Sequence, residues 1–195
     1  MIEMIERRAE GLAIEEEKRV TLARRVDEVQ PCQAHYVDGD AVVGVGEYQV
    51  VHAPEKLVCL GLGSCVGIAI FDISSQIGGL IHAMLPKYEE GRDKTKASKY
   101  ADSAVMLMVD ELVEMGARKP LLRAKIAGGA QMFSFISSDT LNIGQRNSVV
   151  AKETLKKENI PLLAEDVGGT KGRTIFFNSV DGSIRIQKNG EVSQI

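Results

Sequence analysis

Two neighbouring apolar runs, Val66–Phe71 and Ile77–Leu85, are separated only by the polar turn Ser74-Ser75-Gln76. The first is rich in β-branched residues and the second is another short apolar run, so the pair predicts a buried β-hairpin. The flanking segments extend the pattern. Val42–Val51 and Leu57–Cys59 have strand composition, and Lys87–Lys99 is charged and predicts a mobile surface loop. Tyr100–Gly116 has helical periodicity, with Ala101, Ala104, Val105, Met108, Leu112 and Met115 on one side. Leu121–Ile126 is a strand. Asn142–Asn159 is a second helix with Ile143, Val149, Val150 and Leu155 on its apolar side. Pro161–Ala164, Thr174–Phe177 and Ile184–Gln187 are late strands, and Asp181-Gly182 is a hairpin signal between the last two. The elements do not alternate strictly as in a doubly wound sheet, so the expected fold is an α+β layered domain.

The chain has 195 residues, 44% hydrophobic and 26% charged, which suits one globular domain with a short appendage and excludes a wholly disordered chain. No apolar run approaches the ~20 residues of a membrane helix. A net charge of -3, 5% aromatic residues and no Trp argue against a nucleic-acid binder. No Arg- or Lys-led start feeds an apolar run, so no secretory signal is expected. The three cysteines, Cys32, Cys59 and Cys65, are therefore expected to be reduced thiols in a cytoplasmic protein.

Residues 1–30 hold 14 charged residues, eight acidic and six basic, with a weak helical pattern from Ile2 to Val29. This is a solvated, partly helical tail or a docking helix. Pro31 ends it, and His35–Asp40 is expected to be a linker. The expected division is an N-terminal extension and linker over 1–41 and one domain over 42–195.

The segment Gly61-Leu62-Gly63-Ser64-Cys65-Val66-Gly67 superficially suggests a phosphate loop, but a strand-like run follows it where a helix is needed. Cys65 as a nucleophile is the stronger reading. Small residues before it let backbone approach and expose amide N–H groups to a developing oxyanion. A thiol also needs a base, and His82 is the nearest candidate across the predicted hairpin. Pairing residues that sum to 147 sets the two opposite each other. A sum of 149 makes them diagonal neighbours on one face, and an even sum separates them. Spacing does not choose, and two inert core residues remain the competing reading. Zinc is weaker still, because Cys32-x-x-His35 has no second ligand pair, and His52 and Cys59 do not supply one.

Further motifs extend this set. Leu60-Gly61-Leu62-Gly63-Ser64-Cys65-Val66 and Gly79-Leu80-Ile81-His82-Ala83-Met84-Leu85-Pro86 are followed by Lys99-Tyr100-Ala101-Asp102 and Lys125-Ile126-Ala127-Gly128-Gly129-Ala130. Asn142-Ile143-Gly144-Gln145-Arg146-Asn147 and Ala164-Glu165-Asp166-Val167-Gly168-Gly169 complete the series. In this order they resemble the CheD family of chemoreceptor glutamine deamidases, from about Gly44 almost to the C-terminus. The resemblance implies a layered α/β sandwich similar to the catalytic domain of cytotoxic necrotizing factor. It implies a cysteine hydrolase that converts receptor glutamines to glutamates and releases ammonia, with Cys65 as nucleophile and His82 as base. No metal or cofactor is expected. The implied partners are chemoreceptor helices and a CheC-type phosphatase, and the alternative is a binding module that regulates both without strong catalysis.

One position departs from the family pattern. A Thr usually stands six residues before the nucleophile and completes a Cys–His–Thr set; here it is Cys59. A thiol is a poor hydrogen-bonding substitute, so Cys59 is expected to occupy an orienting position that a backbone carbonyl fills instead. On an unbroken strand Cys59, Gly61, Gly63 and Cys65 share one face, which predicts a trough for an extended glutamine beside Gly61, Gly63 and Ser64.

Overall fold

The computed structural model describes residues 35–132 and 142–195. The helical pattern over 1–30, Pro31 and Cys32 lie outside the described residues. A six-stranded sheet runs in the order β1 (Tyr36–Val37), β2 (Asp40–Val42), β4 (Lys56–Leu62), β9 (Arg173–Asn178), β10 (Ile184–Lys188), β11 (Glu191–Gln194). A five-stranded sheet runs β3 (Tyr48–His52), β6 (Ile77–Ala83), β5 (Val66–Asp72), β7 (Arg123–Gly128), β8 (Leu162–Val167). Among the described residues the α-helices are α1 (Ala101–Glu114) and α2 (Ile143–Lys157).

Two apolar layers stack these parts. Val66, Ile68 and Ile70 of β5, with Ile81 and Ala83 of β6, pack against Val105, Met108 and Leu112 of α1 and against Val150 and Leu155 of α2. The alternate residues Ala69, Phe71 and Leu80 pack against Leu57, Ile175, Phe177 and Ile186 of the other sheet. The five-stranded sheet is thus the middle layer. That is why β5 and β6 read as continuous apolar runs: every residue in both is buried.

The predicted hairpin forms, with β6 ending at Ala83, two residues short of the predicted run, and the Asp181-Gly182 turn joins β9 to β10, with Gly182 in the left-handed region. Other elements differ. Val42–Val51 is not one strand, because the chain turns at Gly44–Gly46 between β2 and β3. His35–Asp40 is not a plain linker: β1 pairs with β2, and β2 runs parallel to β4. On α2, Val149 is exposed, while Gly144, Asn147, Ser148, Ala151 and Thr154 form the buried stripe with Val150 and Leu155. The loop expected to be mobile is tied down on several sides. The Tyr88 N–H donates to Asp102, the Tyr100 hydroxyl donates to the Asp93 carbonyl, Lys96 pairs with Glu47 and Arg146 pairs with Glu90. Among the described residues no helix is long and apolar enough to cross a membrane.

Candidate active site

The site sits at the open end of the β5–β6 hairpin. Val66 pairs with Ala83 and Gly67 with His82, the register that sums to 149. Continued by one residue, it sets Cys65 across from Met84 and diagonal to His82, a spacing of about 7–8 Å between Cα atoms. Gly67 faces the layer between the sheets, since a Cβ there would meet Ile175 Cδ1 at 2.2 Å. His82, its partner, faces the same layer, and Cys65 packs against that layer's core. The structure therefore brings Cys65 and His82 to one face.

His82 is 2% exposed. Its backbone is held on both sides, by Gly46 N–H donating to the His82 carbonyl and His82 N–H donating to the Glu47 carbonyl, each at 2.8 Å. Its Nδ1 lies 3.3 Å from the Val43 carbonyl oxygen. A carbonyl only accepts, so this bond assigns the proton to Nδ1 and leaves Nε2 as the basic nitrogen. Burial lowers the imidazole pKa, against the opposing influence of the Val43 bond and the Glu47 carboxylate.

Cys65 is half-buried. Burial raises its thiol pKa, and its own backbone N–H, which lies beside the sulfur, works in the other direction. Thiol and imidazole therefore rest as a neutral pair at neutral pH. The loop carrying Cys65 has all three of its carbonyls pinned. Ala130 N–H donates to Gly63 at 2.8 Å and Gly129 N–H donates to Cys65 at 2.8 Å. Asn147 Nδ2 donates to Ser64 at 2.9 Å. In a trans peptide the C=O and the following N–H point in opposite directions. Fixing the Gly63 and Ser64 carbonyls therefore turns the Ser64 and Cys65 N–H groups away from those donors. Among the described residues no backbone carbonyl accepts from either N–H. Two amides that no such carbonyl engages, one of them already beside the thiol, can hold an oxyanion.

Cys59 is fully buried, and its Sγ is 3.8 Å from the Ile81 carbonyl oxygen. Burial, then the nearby Cys65, push its thiol pKa well up. It sits against the backbone next to His82, while the ring's hydrogen bond goes to Val43.

The single-face trough does not form as expected. The β4–β9 register shifts between Cys59 and Leu62, where Leu60 and Gly61 together oppose Thr174. Gly61 has φ 64°, and the extra residue reverses the alternation. Cys59 and Leu62 both point into the core, and Gly61 is exposed on the outside. Gly61 N–H donates to Thr174 Oγ1. Gly63 is covered by Met132, whose Sδ would lie 2.5 Å from an added Cβ. Ser64 is exposed beside Cys65. His52 pairs with Ile77 at the turn end of the hairpin, far from Cys65. Among the described residues no group of three or more His, Cys, Asp or Glu is placed to hold a metal ion.

Sequence reasoning gave no individual role to four contributors. Val43 acts through its backbone, which leaves no side-chain signature. Gly128 and Gly129 carry the loop that pins Cys65, and both have positive φ. Asn147 does have a signal: a poor helix former inside a helix, on its buried face.

Residues 84–188 match the family model described as CheD chemotactic sensory transduction. The chain is 45% identical over 149 residues to the "Probable chemoreceptor glutamine deamidase CheD" of Desulforamulus reducens, covering 76% of this chain and 90% of that one. It is 48% identical over 152 residues to the protein of the same description from Moorella thermoacetica, with the same coverage. A Methanosarcina acetivorans relative, described as CheD 2, is 45% identical over 157 residues, covering 80% of this chain and 69% of its own. Among solved structures, the Bacillus licheniformis hypothetical protein YfiH aligns at 17% identity and a TM-score of 0.42, covering 69% of this chain and 61% of that one. That likeness is too loose to bear on the fold.

Proposed function

This chain belongs to the CheD family, and from that premise we propose that it is a chemoreceptor glutamine deamidase with Cys65 as its nucleophile and His82 as its acid–base. The carrying observation is the register that sets a thiol diagonal to an imidazole, on one face of a hairpin, beside two amides that no backbone carbonyl among the described residues engages.

The residue types give the steps. His82 Nε2 takes the Cys65 thiol proton as the sulfur attacks the glutamine side-chain carbonyl carbon. The resulting oxyanion faces the Ser64 and Cys65 N–H groups. His82 returns the proton to the amide nitrogen, and ammonia leaves with the cleaved C–N bond. A thioester remains on Cys65. Water, deprotonated by His82, attacks it, the C–S bond breaks, and glutamate and the free thiol are produced. No metal or cofactor enters. Each turnover adds one negative charge to the receptor surface.

Several expectations belong to the same proposal. The stacked sheets and helices support a sandwich of the cytotoxic necrotizing factor type. A catalytic domain over about 42–195 carries an extension over 1–41, with β1 and most of β2 drawn from that extension. The protein works in the cytoplasm on chemoreceptor helices, and a CheC-type phosphatase as second partner rests on the family resemblance alone. Cys59 fills space beside the backbone of His82, and the substrate side chain enters by the exposed Ser64 and not along a Cys59–Gly61 face.

The test is incubation with the cytoplasmic fragment of a chemoreceptor. Ammonia release together with conversion of glutamine to glutamate in the receptor peptides supports the deamidase. Tight receptor binding with neither product supports the binding module.

A further inference from the structure

Asn147 lies on α2, in the layer of helices, yet it touches both halves of the site. It is fully buried. Its Nδ2 donates to the Ser64 carbonyl at 2.9 Å and to the Met84 carbonyl at 3.0 Å. These are equivalent places on the two strands. The β5–β6 ladder ends at Val66–Ala83, and its next pair is Cys65 with Met84. One amide group thus takes over where the ladder stops, and it ties the peptide before the nucleophile to the strand end just past His82.

The opposite end of the same side chain is unsatisfied. Asn147 Oδ1 is one of two buried side-chain polar atoms without a hydrogen-bond partner among the described residues, the other being Arg173 Nε. A buried carbonyl oxygen without a donor is costly, and an apolar residue of similar size avoids that cost. A residue that breaks a local rule in this way is explained when its other end is needed. Its two N–H groups meet two carbonyls that an apolar residue leaves open.

We propose that Asn147 is a positioning residue: by holding the Ser64 carbonyl inward it turns the Cys65 N–H outward as an oxyanion donor, and by holding Met84 it fixes the spacing between Cys65 and His82. The proposal rests on the deamidase reading above. It goes further by assigning the orientation of the oxyanion donor to a side chain on a different layer.

The experiment uses the full chain and the chemoreceptor fragment, with ammonia release as readout and Asn147→Asp, Asn147→Ala and Cys65→Ala as variants. Asp keeps the shape and removes both donors. Its kcat should fall about 10²-fold, the effect of losing one oxyanion donor, with KM within about threefold because ground-state binding is untouched. Ala, which buries no charge, should behave alike and is read alone if the Asp protein does not melt cooperatively. A merely structural role lowers the melting temperature but leaves kcat per folded molecule near that of the wild type, and that result overturns the inference. An active Cys65→Ala protein overturns the underlying reading instead.

Discussion

His82 takes its orientation from Val43: the imidazole Nδ1 meets the Val43 carbonyl oxygen at 3.3 Å, a backbone partner that no side-chain substitution removes. This bears directly on Cys59, which stands where the family usually has Thr. The Cys59 thiol points instead to the Ile81 carbonyl at 3.8 Å, a weak contact.

Cys59→Thr and Cys59→Ala should therefore both keep deamidation within about threefold of the wild type, since the base keeps its orientation. Cys59→Ala should lower stability by about 1–3 kcal/mol through the cavity it leaves. Denaturant unfolding and ammonia release under reducing conditions check the two effects separately. Loss of activity in both folded variants assigns the thiol a chemical role.

The pH profile follows from the neutral pair. Burial holds His82 below its ordinary 6.5 and Cys65 above its ordinary 9.0. The base must be neutral to accept the thiol proton, so activity is lost only as pH falls through the lowered imidazole value. The upper limit is the raised thiol value. We expect kcat/KM to stay flat from about pH 6.5 to about pH 9. A steep rise between those limits contradicts the neutral pair.

Gly128 has φ 118°, and a Cβ there would lie 2.4 Å from the Cys65 carbonyl oxygen. Neither the backbone angle nor that contact can relax without moving the nucleophile's loop. Gly128→Ala should destabilise the fold by about 1–3 kcal/mol and should reduce kcat of the folded fraction. Melting and single-turnover kinetics report the two.

Asp72 closes the other end of the hairpin. Burial alone raises its carboxyl pKa, but hydrogen bonds from the Ser74 hydroxyl, the Arg118 N–H and Ser75 outweigh it and hold the group well below the usual carboxylate range. A depressed folded pKa contributes stability that is present above the unfolded value, about 3.9, and is lost as pH falls through the folded one. Asp72→Ala should cost about 1–3 kcal/mol at pH 7, because it strands buried donors, and should flatten the acid limb of the stability curve. Urea unfolding from pH 7 down to pH 3 checks both.

The sequence exposed the parts of the fold that continuous burial dictates. β5 and β6 stand where their apolar runs place them, because both faces of the middle sheet are covered. It hid what a single residue's backbone decides. Gly61 enters the left-handed region and inserts a bulge, so period-two counting from Cys59 fails at once: Leu62 points into the core and Gly61 does not. The Asn189-Gly190 pair, both with positive φ, turns β10 into β11 and was an available hairpin signal that the strand reading passed over. At the site, the types and order of Cys65 and His82 were legible, but the choice of register was not. The Val43 carbonyl and the Asn147 amide come from distant segments and follow no periodicity.

The central claim is that Cys65 carries the chemistry, and the most direct measurement compares ammonia release by wild-type and Cys65→Ala protein on the same chemoreceptor fragment. The account predicts that the folded alanine variant binds the fragment and releases no ammonia above background, while the wild type converts glutamine to glutamate. Ammonia release at the wild-type rate by Cys65→Ala contradicts it.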